Sequence, residues 1–93
     1  MREELQKIRQ MQAEIGALRD RAAHSCRDPR SAVRMAKALD LLREADAILK
    51  MEIAKIESGT MRSSDLARAA LGWNLNSVHG RLVLARETLD GLR

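Results

Sequence analysis

Four polar side chains near the C-terminal end of the sequence have types and spacing suited to nucleic-acid binding: Asn76, Ser77, His79 and Arg81. Each can exchange hydrogen bonds with base edges or phosphate oxygens. Val78 and Leu82 lie among them, four residues apart, which is the spacing of one side of a helix. This predicts a helix whose apolar side faces the core and whose polar side chains face the solvent. Arg62 and Arg86 flank the segment and are expected to contact phosphates.

Other kinds of chemistry have little support in the sequence. His24 and Cys26 are two residues apart, but no second pair of ligands completes a metal site. His79 has no Ser, Cys or Asp at a spacing diagnostic of nucleophilic catalysis. The sequence therefore predicts a protein that is not an enzyme and needs no cofactor or metal.

The composition predicts an all-α fold. The chain has 93 residues, no Phe or Tyr, and a single aromatic residue, Trp73. Its core must be built from Leu, Ile, Val, Met and Ala, and no run alternates apolar and polar residues for long enough to form a strand. This length suits one small domain, or a coiled-coil arm with a small head.

Net charge and hydropathy point to the cytoplasm. The formal charge of +4 is compatible with nucleic-acid binding and also with an ordinary soluble surface. The charged start, Met-Arg-Glu-Glu, does not fit a signal peptide, and no apolar run approaches the ~18 residues of a membrane span. A single cysteine excludes an intrachain disulfide and fits a reducing compartment.

The first part of the chain has the pattern of a long antiparallel helical hairpin. Helix one is predicted at residues 3–25 and helix two at residues 29–58, with Asp28 as a cap, Pro29 at the first helical position and Gly59 as the stop. The apolar seam of helix one contains Leu5, Ile8, Met11, Ile15, Leu18 and Ala22. Such a seam is wide enough for one partner helix.

Helix two carries more apolar surface than helix one can cover. Its stripe includes Leu42, Leu49 and Ile53, with further apolar positions on both sides. The surplus predicts either homodimerisation through the hairpin or a cover supplied by the C-terminal segment. We expect a homodimer from this surplus.

The remainder of the chain is predicted to form a short helix-turn-helix-like pair. Its first helix spans residues 65–71, Gly72 forms the turn, and the second helix starts at Asn74 or Asn76 and ends near residue 89. Trp73 is expected to be buried between the two helices. The predicted organisation is thus a hairpin at 1–59 and the pair at 60–93.

The segment from Leu71 to Arg86 resembles the promoter-reading helix-turn-helix of bacterial sigma factors, especially the extracytoplasmic-function type. The matching residues are Leu71-Gly72, Trp73, Ser77-Val78, Arg81-Leu82 and Ala85-Arg86. The resemblance covers only the C-terminal third of the chain. It implies that the second helix of the pair enters the major groove of double-stranded DNA and that promoters or the transcription machinery are the context.

Two functions are consistent with these patterns. The first is a small DNA-binding transcriptional regulator that dimerises through its hairpin. The alternative is a helical protein–protein interaction module, such as an antiactivator, a phage-type inhibitor or a secretion chaperone, with no DNA binding. The expected contact residues of that alternative are Leu42, Leu49, Ile53, Val83 and Leu84.

Overall fold

The computed structural model describes residues 2–25, 29–58 and 65–91, and within these ranges the protein is built from three α-helices. They are α1, Arg2–Ser25; α2, Pro29–Glu57; and α3, Asp65–Asp90. The predicted all-α class and the bounds of the first two helices are confirmed. The predicted cap at Asp28 and stop at Gly59 lie outside the described residues.

The start of α1 carries acidic side chains, as the helix dipole favours. Glu3 and Glu4 lie in its first turn. A hydrogen bond from its own backbone amide holds the pKa of Glu4 below its usual value, and the charge of Arg68 lowers that pKa further. The N-terminal halves of α1 and α3 lie side by side, since Lys7 and Gly72 line the same groove.

Cross-helix contacts define a bundle in which α3 is antiparallel to α2 and parallel to α1. Along α3, Arg81 meets Glu44, and further on the carbonyl of Gly91 meets Arg34, so residue numbers rise on α3 as they fall on α2. Against α1, Arg86 pairs with Glu14 and Asp90 pairs with Arg21, so both numbers rise together. The bundle measures 48 × 17 × 16 Å.

One core of aliphatic side chains runs between the three helices. Its buried members come from α1 (Ile8, Ile15, Leu18, Ala22), α2 (Met35, Ala38, Leu42, Ala45, Leu49) and α3 (Leu71, Leu75, Val78, Leu82, Ala85, Leu89). The predicted segments 1–59 and 60–93 therefore share this core. The surplus apolar surface of α2 is covered by α3. The sequence predicted either this cover or homodimerisation through the hairpin.

The predicted turn at Gly72 is wrong, because α3 is continuous from Asp65 to Asp90. Leu71 lies four residues before Leu75 and is buried on the same face. A turn at Gly72 would take Leu71 out of that face. A glycine inside a helix costs only about 1 kcal/mol relative to Ala, which is less than the 2–5 kcal/mol typical of one buried Leu side chain.

Candidate interaction surface on the third helix

Trp73 lies on the outside of the bundle, with 80% of its surface exposed. The prediction that it is buried between two helices is therefore wrong. In a continuous helix, Trp73 is two residues from both Leu71 and Leu75, and two steps of about 100° turn it to the opposite side. Because those two leucines face the core, the indole must face away from it.

An apolar stripe extends from Trp73 along the exposed side of α3. We define the α3 outer face by the residues at helical spacing on this side: Ala69, Trp73, Ser77, Gly80 and Leu84. Leu84 is 53% exposed, and Ala69 and Gly80 are exposed as well. Two large apolar side chains thus flank two small residues on one side of a helix.

The α3 outer face from Ala69 to Gly80 lies in a part of the chain with no acidic, Lys or Arg side chain. Such residues make up 32% of the sequence, yet none occurs between Arg68 and Arg81. An ordinary solvated helix carries charged groups on its outer side. A large exposed aromatic side chain in an uncharged stretch of a surface helix is a feature of interaction sites, where aromatic residues are enriched.

The outer side of α2 provides a contrast. Val33 and Met51 are 77% and 58% exposed. Between them, at helical spacing on the same side, lie the exposed charged residues Lys37, Asp40 and Glu44. Each apolar side chain on α2 is thus isolated among charges, and single exposed apolar residues are normal on protein surfaces.

Gly80 lies at the middle of the α3 outer face and has no role in packing the bundle. A Cβ atom built at this position would meet no neighbouring atom within 4 Å. An alanine would therefore fit and would favour the helix by about 1 kcal/mol. A glycine here leaves room for another molecule to approach the backbone closely.

A groove between α1 and α3 lies beside this face. Its volume is about 430 Å³, and it is lined by Lys7, Gln10, Met11, Glu14, Gly72, Leu75, Asn76 and His79. Asn76 and His79, predicted to read bases, are exposed and open into this groove. Its lining mixes acidic, basic and neutral groups, so it favours no single class of ligand.

The other residues predicted to bind DNA are engaged within the bundle. Arg81 donates from Nε to Oε2 of Glu44 at 3.0 Å and from Nη1 to the carbonyl oxygen of Ser77 at 3.2 Å. The Ser77 hydroxyl also accepts a hydrogen bond from Arg81, and Arg86 pairs with Glu14. Arg62 lies outside the described residues.

The residues predicted to bind a protein partner divide into two groups. Leu42 and Leu49 are fully buried in the core, because α3 packs over them, so their assignment to a binding surface is wrong. Ile53 and Val83 are half-buried, and Ile53 packs against the core. Leu84 is the one residue of this predicted set that belongs to the α3 outer face.

Sequence reasoning missed Trp73 as a surface residue, although a signal was present. The burial period of Leu75, Val78 and Leu82 extends backwards to Leu71 without a break. If Leu71 and Leu75 lie on the buried side of one helix, Trp73, midway between them in sequence, must lie on the exposed side.

A second polar feature lies inside the bundle, between α2 and α3. The Glu52 side chain is only 1% exposed. Its Oε1 atom accepts hydrogen bonds from Nδ2 of Asn74 at 2.5 Å and from Nζ of Lys55 at 3.4 Å. Among the described residues, its Oε2 atom has no hydrogen-bond partner.

Comparison with protein-family models, curated proteins and solved structures gives no match to this chain. Within residues 2–25, 29–58 and 65–91, no group of three or more His, Cys, Asp or Glu side chains is placed to hold a metal ion. The helices in the same ranges lack an apolar stretch long enough to cross a membrane.

Proposed function

We propose that this protein is a helical protein–protein interaction module that binds its partner through the α3 outer face. The observation that carries the proposal is the 80% exposure of Trp73 within an uncharged segment of a surface helix. A buried Trp removes about 150–250 Å² of surface from water, which corresponds to about 4–6 kcal/mol at 25 cal/mol per Å². Aromatic residues of this kind dominate the binding energy of protein interfaces.

The electrostatics of α3 favour a protein partner over DNA. Phosphate contacts supply most of the affinity of DNA-binding proteins, and Lys and Arg make those contacts. The α3 outer face has neither residue, while Arg81 and Arg86 form ion pairs with Glu44 and Glu14. A helix-turn-helix reader also needs a turn before its recognition helix, and α3 continues through that position. DNA binding by this segment stays a prediction, with less support than protein binding.

Site-specific photocrosslinking tests the proposal. A photoreactive amino acid replaces Ala69 on the α3 outer face and, as the matched control, Ala47 on the outer side of α2; both alanines are exposed. In cells that naturally produce the protein, we expect a discrete adduct from position 69 that is absent from position 47. Trp73→Ala in the same chain should abolish that adduct. Equal adducts from both positions, or none from position 69, contradict the proposal.

Gel retardation separates this function from DNA binding. We expect no retardation of duplex DNA by the wild-type protein at 50 mM salt. Retardation that falls steeply with salt and is reduced in Arg81→Ala would instead support a DNA-binding regulator.

A further inference from the structure

We infer that the partner of the α3 outer face is a second copy of this chain, packed antiparallel about a two-fold axis that passes between Val78 and His79. This inference rests on the proposed function. It adds the identity of the partner, the relative direction of the helices and their register.

From Trp73 to Leu84, the spacing of the face is the same in both directions along the helix. Trp73, Ser77, Gly80 and Leu84 follow one another at steps of four, three and four residues. In an antiparallel pair centred on this stripe, Trp73 comes level with Leu84 of the second copy, and Ser77 comes level with Gly80. A two-fold interface requires such self-complementarity, because the same patch must serve both subunits.

The sizes of the side chains complement each other in that register. Ser77 and Gly80 meet at the centre, where small residues allow two helix backbones to approach closely. The space above Gly80 is open, since a Cβ there would contact nothing within 4 Å. At each end, the exposed indole of Trp73 covers the exposed Leu84 of the other copy, so the largest apolar groups of the face are buried together.

The charges favour an antiparallel arrangement over a parallel one. In the antiparallel register, Glu87 comes level with the uncharged Ala70 of the second copy. In a parallel arrangement, Glu87 would instead come level with Glu87. Arg81 lies beside the centre of the stripe, where it donates to Ser77, and it is already paired with Glu44, so the contact need not leave this charge unpaired.

The size of the contact suits a reversible dimer. Residues 69–87 of a helix extend over about 27 Å. With a helix width of about 10 Å, two paired stripes of this length cover roughly 500 Å² summed over both partners, which is below the size of stable specific interfaces. The dimer should therefore depend on protein concentration.

Sedimentation at increasing protein concentration tests whether a second copy is the partner. We expect the wild type to shift from monomer to dimer, Trp73→Ala and Leu84→Glu to remain monomeric, and Val33→Ala to behave as the wild type. Val33 is the control because it is nearly as exposed as Trp73 but lies on α2. Circular dichroism on each variant verifies that the bundle stays helical. A wild type that is monomeric throughout, or a dimer that survives both α3 changes, overturns the inference.

Disulfide trapping tests the direction and register, in a Cys26→Ser background. A mixture of one chain carrying Ala70→Cys and another carrying Glu87→Cys should form crosslinked heterodimers faster than either chain crosslinks with itself, because each position lies about 25 Å along the helix from its own copy in the antiparallel register. Faster crosslinking of each single variant with itself would indicate parallel helices and would overturn the antiparallel register.

The photocrosslinking result distinguishes failure of this inference from failure of the proposed function. An adduct from position 69 with the mass of two chains supports both. An adduct with a different protein, together with a monomeric wild type, overturns only the second copy as partner. If position 69 gives no adduct, the proposed function is contradicted as well.

Discussion

Asn74 on α3 donates a hydrogen bond to Glu52 on α2, with 2.5 Å between Nδ2 and Oε1. The carboxylate that accepts this bond is almost completely buried between the two helices. Burial of a charged group is costly unless hydrogen bonds satisfy it. The pair therefore stabilises one register of α2 against α3, because sliding either helix would remove the Asn74 donor from the carboxylate and leave only the longer contact with Lys55.

Removing only one member of this pair should destabilise the bundle. We expect Asn74→Leu to lower the free energy of unfolding by about 1–3 kcal/mol, since Glu52 loses its closest donor. The double variant Glu52→Leu/Asn74→Leu should recover most of that loss, because both polar groups are replaced together. Urea denaturation measures both, with the exposed Asn76→Leu as the control. If Asn74→Leu unfolds at the wild-type midpoint, the hydrogen bond contributes nothing to the register.

The continuity of α3 can be tested at Gly72. We expect Gly72→Ala to stabilise the protein by about 0.5–1 kcal/mol, because alanine favours a helix interior and its Cβ meets no atom within 4 Å. Gly16→Ala is the matched control within α1, where the surrounding space is also open. Chemical denaturation compares the two. Destabilisation by Gly72→Ala alone would indicate a turn with a positive φ at this position.

Two leucines of α3 should differ sharply in their contribution to stability. Leu82 is buried in the core and Leu84 faces outward. Leu82→Ala should cost about 2–5 kcal/mol of unfolding free energy, whereas Leu84→Ala should change it by less than about 0.5 kcal/mol in the monomer. Guanidinium denaturation of dilute protein provides the measurement. Equal losses would show that Leu84 is also part of the monomer core.

The ion pair between Arg81 and Glu44 should be weak but measurable. It spans α2 and α3 at the surface, where the Arg81 side chain is one-third exposed and that of Glu44 more so. A double-mutant cycle with alanine at both positions should give a coupling of about 0.2–1 kcal/mol, decreasing as salt is added. No coupling at low salt would mean that Glu44 does not hold Arg81, leaving that guanidinium available for another molecule.

The hairpin could be predicted from the sequence because its signals agree with one another. The apolar seam of α1 is regular, and Pro29 begins α2 at a position where its missing N–H costs nothing. The C-terminal third presented a conflict between a local signal and a longer one. Gly72 suggested a turn, whereas burial of Leu71 on the same side as Leu75 requires a single helix. Packing of these regularly spaced leucines against the core determines the structure.

The errors at Trp73 and on α2 follow from that one misplaced turn. If this segment formed two helices, Trp73 would be buried between them. In one continuous helix, it must face outward. Likewise, Leu42 and Leu49 are free surface only if α3 does not pack along α2. The pairing of Glu52 with Asn74 could not be predicted, because it depends on the register of α3 against α2, which no local pattern in the sequence specifies.

Fluorescence of Trp73 as a function of protein concentration tests the role of the α3 outer face most directly, since this indole is the only aromatic side chain in the protein. In dilute solution we expect the red-shifted, easily quenched emission of an indole in water. As concentration rises, the emission should shift to the blue and resist acrylamide in the wild type and Val33→Ala, but not in Leu84→Glu. Emission that stays red-shifted at every concentration would contradict pairing of the α3 faces. Blue-shifted emission in dilute Leu84→Glu would contradict exposure of Trp73 itself.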